Sequence, residues 1–193
     1  EAIRLSASMQ DLFGDAQIKG GGGLFLTGRD GEQLIWRQKE IYDGALPSGN
    51  SVAALDLARI YHFTFDKQWQ EQAAAILQYF FQDVTQRPSA YTQLLIAADF
   101  MKGPVKEIVV VNEDDATAVQ EVIREINSRF IPNKVVILRL LSDKQAKELV
   151  SIIPFIEEQK PLEGKLTVYV CENSVCKRPV TQLQDIQALI KEN

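Results

Sequence analysis

Met101-Lys-Gly-Pro-Val-Lys-Glu-Ile-Val-Val-Val111 is the stretch on which the fold turns. Before it, apolar residues recur every three or four positions, the period of helices with one buried face. Gly103-Pro104 stops that run, because proline has no N–H to donate and its ring clashes with a preceding helical turn. Glu107-Ile-Val-Val-Val111 then forms an unbroken apolar run, as expected of a strand buried on both faces. The seam divides the chain into a helical segment, 1–103, and an α/β segment, 104–193.

Toward the N-terminus, Tyr91, Leu94, Leu95, Ala98 and Met101 predict one apolar helix face after Pro88, a residue suited to a helix start. Trp69, Ala73, Ile76, Leu77, Phe80 and Val84 predict another. From about Ser51 to Phe63 only Asp56, Arg59 and His62 form a polar stripe, so this helix belongs among other helices. Ser48 or Asn50 can cap it. Upstream lies the loop Glu40-Ile-Tyr-Asp-Gly-Ala-Leu-Pro-Ser-Gly-Asn-Ser51. Leu24–Thr27 and Gln33–Arg37 read as a β-hairpin, near 24–37, around Asp30-Gly31. Residues 2–13 carry a helical apolar face through Ala2, Leu5, Met9, Leu12 and Phe13. Close helices with short links make αα-hairpins.

Toward the C-terminus, strand and helix alternate. Asp114 or Asp115 can cap a helix bearing Val119, Val122, Ile123, Ile126 and Phe130. Lys134–Arg139 is a second strand of the same buried kind. Ser142-x-x-Gln145 has the form of a capping box. Leu166–Val170 is a third strand, and Thr181-x-x-Gln184 precedes a last helix. Three alternations predict a small three-stranded parallel α/β domain with right-handed crossovers.

Composition narrows the function. Hydrophobic residues are 46% and charged residues 24% of the 193, so a packed core is within reach. The net charge is −5, with nine Lys and Arg against twelve Asp and Glu up to Gly103 and twelve against fourteen beyond. Neither segment is basic, which disfavours a nucleic-acid partner. No run reaches the roughly 20 apolar residues of a membrane span. Two cysteines are too few for a disulfide scaffold, and the expected compartment is reducing and cytoplasmic. The chain opens Glu1-Ala-Ile-Arg4 without Met, which suggests a piece of a longer protein.

Each candidate site has a plain reading beside its chemical one. The glycines Gly20–Gly23 lack the preceding strand and the Lys-Ser/Thr of a phosphate loop, so a turn needing positive φ is expected. Val111-Asn-Glu-Asp-Asp-Ala116 is too acidic for a pyrophosphate. Cys171 and Cys176 flank Glu-Asn-Ser-Val after the third strand, and can be inert, a redox pair or ligands of a soft metal. With four residues between them and no further Cys or His nearby, no metal centre and no cofactor is expected. His62 is the lone histidine and reads as a hydrogen-bonded rim residue.

Glu40 and Asp43 are the catalytic candidates. They stand three apart in a loop broken by Gly and Pro, beside Tyr42, and paired carboxylates suit general acid–base work. Tyr42, Ser48 and Asn50 are the accompanying ligand-binding candidates. The plain reading is that Asp43 orders the turn while Glu40 is solvated.

Longer motifs then carry a resemblance. Lys39-Glu-Ile-Tyr-Asp-Gly-Ala-Leu-Pro-Ser-Gly-Asn-Ser51, Glu107-Ile-Val-Val-Val111, Ile152-Ile-Pro-Phe-Ile-Glu157 and Val170-Cys-Glu-Asn-Ser-Val-Cys-Lys-Arg-Pro179 resemble, in order and spacing, the thioredoxin-domain-containing, spermatogenesis-associated (YyaL-like) family. The resemblance implies the C-terminal portion of a longer protein that begins with a thioredoxin-like domain. It also implies that the helices before Gly103 close a toroid similar to those of six-hairpin glycosidases and sugar epimerases. The Glu40–Ser51 loop would then line its mouth or centre, and a carbohydrate-like ligand is the fold-level expectation. N-acylglucosamine epimerases rely on histidines, whereas this chain has one. The first expectation is therefore an accessory, non-catalytic region beside the thioredoxin-like domain. The second is a carbohydrate-active or sugar-binding module.

Overall fold

A computed structural model describes all residues except 19–21, 33, 114–115, 174 and 192–193, and leaves out the side chains of Ala116 and Lys191. The chain forms two compact units, Glu1–Lys102 and Gly103–Asn193. Gly20, Gly21, Gln33, Asp114 and Asp115, named above as loop, strand and cap residues, lie outside the described residues.

The first unit is built on α2 (Gly49–Thr64). Its Ala53, Ala54, Leu57 and Ala58 are almost fully buried. The small side chains leave room for neighbouring backbones on several sides. α2 packs against α3 (Lys67–Tyr79) and α5 (Thr92–Lys102). Trp69, Ala73 and Ile76 come from α3, and Leu94, Ala97 and Phe100 from α5. The polar stripe falls as expected, with Asp56 and Arg59 exposed and His62 half-buried. Asp66 ends the interruption between α2 and α3 by accepting a hydrogen bond from Gln68 N (3.0 Å). α4 (Phe81–Gln86) and a 3-10 turn at Pro88–Ala90 lead into α5.

The face of α5 is rotated from the expected one. Leu95 is 39% exposed, while Ala97 and Phe100 are buried. Thr92–Lys102 is apolar on nearly every side, so periodicity alone could not orient it. α1 (Ala2–Phe13) forms where predicted but buries none of its residues.

The expected hairpin near 24–37 is corrected. Among the described residues it forms no strands, only isolated antiparallel bridges from Leu24 to Gly14 and from Phe25 to Lys39. The turn survives, with Gly31 N donating to Gly28 O. The second arm, however, pairs through Gln38–Lys39, whose Gln38 O accepts from Leu26 N (2.8 Å). Ile35 and Trp36 stand in solvent, 109% and 80% exposed. Two strands without a surface to bury are marginal. Here Arg37 and Lys39 instead lay their cations over the Phe25 ring, 4.1 and 4.8 Å from its centre.

The second unit holds a four-stranded mixed sheet in the order β2-β1-β3-β4. Its strands are β1 (Lys106–Asn112), β2 (Lys134–Leu140), β3 (Thr167–Glu172) and β4 (Val175–Cys176). β1 is buried along its whole length, as its apolar run predicts. β2 is parallel to β1 but lies at the edge, and Leu138 is 39% exposed. α6 (Ala116–Asn127) and α8 (Leu183–Lys191) contribute Val122, Ile126, Ile186 and Ile190 to a core against Ile108, Val110, Val168 and Val170. Phe130 falls beyond α6 and is 93% exposed.

The all-parallel expectation is corrected too, because β3 runs antiparallel to β1. The connection after β2 explains it. Its helix, α7 (Ala146–Ile152), has seven residues and rises only about 10 Å, against roughly 23 Å for a seven-residue strand. Arg139 near the end of β2 then holds the chain by donating to the carbonyls of Ile156, Glu157 (3.2 Å) and Gln159 (2.7 Å). The next strand therefore starts beside the end of β1, with Thr167 opposite Val111, and must run back. Nor does Ser142 open α7 as a capping box. Asp143 supplies the side-chain acceptor, for Gln145 N (2.9 Å).

Ile126→Ala should destabilise the second unit by about 2–5 kcal/mol, since it empties a fully buried site. Phe130→Ser should change stability by no more than about 0.5 kcal/mol. Urea unfolding of the two variants checks both values, and a larger loss at Phe130 than at Ile126 would refute this core assignment.

Candidate functional site

The loop Glu40–Ser51 is shaped by Asp43. Its Oδ1 accepts from Ser48 N (2.9 Å), five residues on. Its Oδ2 accepts from Gln93 N (2.9 Å) and Leu94 N (3.1 Å), fifty residues away. Gln93 and Leu94 are the second and third residues of α5, where backbone N–H groups have no partner within the helix. A carboxylate there also meets the positive end of the helix dipole. Asp43 N donates to Ala90 O (2.9 Å), so backbone and side chain both grip the approach to α5.

Ser48 continues the chain of contacts. It is the N-cap of α2, and its Oγ accepts from Ser51 N (3.0 Å) while its hydroxyl donates to Ser51 Oγ (2.9 Å). Asp43 thus ties the start of α5 to the capping residue of α2. Asn50, 2% exposed, accepts from Leu24 N (2.5 Å) and donates to Leu24 O (2.9 Å) and Glu40 O (2.8 Å). It serves Leu24 as a neighbouring strand would.

The other candidates stand apart from this clasp. Glu40 is exposed, and Tyr42 is 59% exposed. Glu40 and Tyr42 are the two candidates of this loop that solvent reaches readily. His62 meets Tyr61 and Phe100 edge to face, at centroid distances of 5.1 and 5.5 Å. Cys171 and Cys176 are joined as a disulfide across β3 and β4. Among the described residues no group of three or more His, Cys, Asp or Glu is placed to hold a metal. No helix among them is long and apolar enough to cross a membrane.

A part-buried ion pair beside the loop has no local sequence signal. Lys39 Nζ lies 2.7 Å from Asp15 Oδ2, with side chains 5% and 12% exposed. The ammonium also donates to Gly22 O and sits 4.0 Å from the centre of the Tyr79 ring. Its hydrogen bond holds the Asp15 carboxyl below the usual carboxylate range, against the opposing effect of burial. Gly23 follows with φ +74°, and a Cβ there would meet the Phe80 ring at 2.8 Å. The positive-φ turn expected of the glycine run is therefore present at Gly23.

Near Asp15 lies an open cleft of about 460 Å³, lined by Gln10, Asp11, Arg29, Glu71 and Gln72 among others and by no residue of the Glu40–Ser51 loop.

Two outcomes test this geometry. Asp43→Ala should lower stability by about 2–4 kcal/mol, and Asp43→Asn by about 1–2, because an amide turns an N–H toward backbone donors. A loss below about 0.5 kcal/mol for both, by chemical denaturation, would refute the clasp. Asp15→Asn should cost about 1–3 kcal/mol at neutral pH, because Lys39 loses its charged partner but keeps Gly22 O and the rings of Phe25 and Tyr79. The lowered carboxyl stabilises the fold above its unfolded value of about 3.9, and this is lost as pH falls through the lower folded value. The gap between wild type and Asp15→Asn should therefore close in strong acid, and a gap constant from pH 7 to pH 2 would contradict the pairing.

No family model matches the chain. It is 33% identical to human spermatogenesis-associated protein 20 over 191 residues, 98% of this chain and 24% of that protein. Identity to the mouse protein of that name is 30% over 193 residues, 99% of this chain and 24% of the relative. The rat protein gives 31% over the same length, 99% of this chain and again 24% of the relative. The chain is thus similar, along nearly all its residues, to spermatogenesis-associated protein 20, and it spans about a quarter of the length of these curated relatives.

Proposed function

We propose that this chain is a non-catalytic, accessory region of a longer cytoplasmic protein and works beside a thioredoxin-like domain carried elsewhere in it. One observation supports this above others. The Asp43 carboxylate accepts three backbone hydrogen bonds, from Ser48, Gln93 and Leu94. A carboxylate has about four acceptor positions, so little of Asp43 is left to take a proton from a substrate. Ser48 and Asn50 are likewise committed to backbone and to Ser51. The signature loop acts as a joint between helices rather than a reactive centre. The helices before Gly103 are read as part of a larger α/α toroid, with this loop at its mouth or centre.

The other reading is a carbohydrate-active or sugar-binding module using Glu40 and Asp43. The exposure of Glu40 and Tyr42 is what favours it. Thermal-shift screening of the full-length protein against mono- and oligosaccharides separates the two. The accessory reading expects no sugar to raise Tm. Stabilisation by a sugar that disappears in Glu40→Gln, a change at an exposed side chain that leaves the fold alone, would replace it with the carbohydrate reading.

A further inference from the structure

Three side chains stand in one row across the sheet of the second unit. The register pairs Glu107 of β1 with Cys171 of β3, and Cys171 with Cys176 of β4. Paired positions on neighbouring strands project to the same face, with Cβ atoms about 4.5–5.5 Å apart. The row therefore reads carboxyl, sulfur, sulfur from the interior of the sheet to its edge. Burial falls along it: Glu107 is 2% and Cys171 4% exposed, whereas Cys176 is open to solvent. Val175 beside it is 68% exposed.

The disulfide closes a short loop. Its cysteines are only five positions apart, so the cross-link removes less freedom from the unfolded chain than one closing a long loop. The pairing also continues past it on backbone bonds. Lys177 N donates to Val170 O (2.9 Å), Val168 N to Val180 O (2.8 Å) and Val180 N to Val168 O (3.1 Å). These bonds run between backbone atoms and use neither sulfur. One sulfur accessible, the other buried, and a carboxyl behind the buried one is an arrangement suited to exchange.

We propose that Cys171–Cys176 is a thiol–disulfide exchange site, with Cys176 the sulfur attacked and Glu107 the carboxyl that passes a proton to and from Cys171. The co-reactant is a dithiol. One of its thiolates attacks Cys176 Sγ, where a new S–S bond forms. The Cys171–Cys176 bond breaks and its electron pair leaves on Cys171 Sγ, which takes a proton from the Glu107 carboxyl. The second thiolate attacks the mixed disulfide, and Cys176 leaves as a thiolate. The chain gains two electrons, the dithiol becomes a disulfide, and solvent restores the protons. In reverse, the Glu107 carboxylate takes the proton from Cys171 and frees the thiolate that closes the bond. The site stands on the second unit alone and is independent of the Asp43 clasp.

The full chain, treated with dithiothreitol, quenched and alkylated, should gain two thiols while its circular dichroism stays native. In Cys171→Ser, oxidised glutathione should add to Cys176 at least ten-fold faster than it adds to Cys171 in Cys176→Ser. Glu107→Gln should slow disulfide closure about ten-fold at pH 7 and change the pH profile of the rate, while Glu107→Asp keeps most of it. A bond that opens only after unfolding, or equal labelling of the two cysteines, would overturn the exchange site. An unchanged rate and pH profile in Glu107→Gln would overturn the carboxyl's part. Where Glu107→Gln does not fold, loss of the pH dependence in Glu107→Asp overturns that part, and the cysteine variants still decide the site.

Discussion

The helical unit depends on what becomes of the free N–H groups at the start of α5. A helix cannot satisfy its own first amides, and a start packed against other helices has little water to do so. Asp43 meets that need from a loop fifty residues earlier. The same carboxylate holds Ser48 N, and Ser48 caps α2. One side chain thus fixes two helix starts and the path of the loop between them. Asn50 extends the arrangement to Leu24 and Glu40. A stretch rich in Gly, Pro, Ser and Asn is usually mobile, but here its polar atoms are spent on backbone.

The second unit rests on a different constraint, the short return from β2. A seven-residue helix and the grip of Arg139 on three carbonyls leave the chain at the wrong end for another parallel strand. β3 therefore runs antiparallel to β1, and β4 pairs on its far side as a short hairpin. That is how β4 comes to lie beside β3 and how Cys171 meets Cys176.

Much of this was legible in the residues because it is local. The buried run Glu107–Val111, the narrow wet face of α2 and a cap at Ser48 or Asn50, of which Ser48 serves, all follow from neighbours within a few positions. What stayed hidden depends on distant partners. The turn-ordering role of Asp43 could be read from the loop, but not its reach to Gln93 and Leu94. Lys39 and Asp15 find each other across 24 positions, and nothing near either residue announces the pair. Strand alternation predicted parallel pairing because it counts elements without weighing the length of the connection. The apolar all-round composition of Thr92–Lys102 named a helix without saying which side would face α2.

Native-state hydrogen exchange on the amides of Ser48, Gln93 and Leu94 tests the central claim most directly. All three should be protected in the wild type, and all three should lose that protection together in Asp43→Ala while amides in the middle of α2 keep theirs. Fast exchange of these amides in the wild type, or protection unchanged by the substitution, would contradict the account of Asp43 as the joint between α2 and α5.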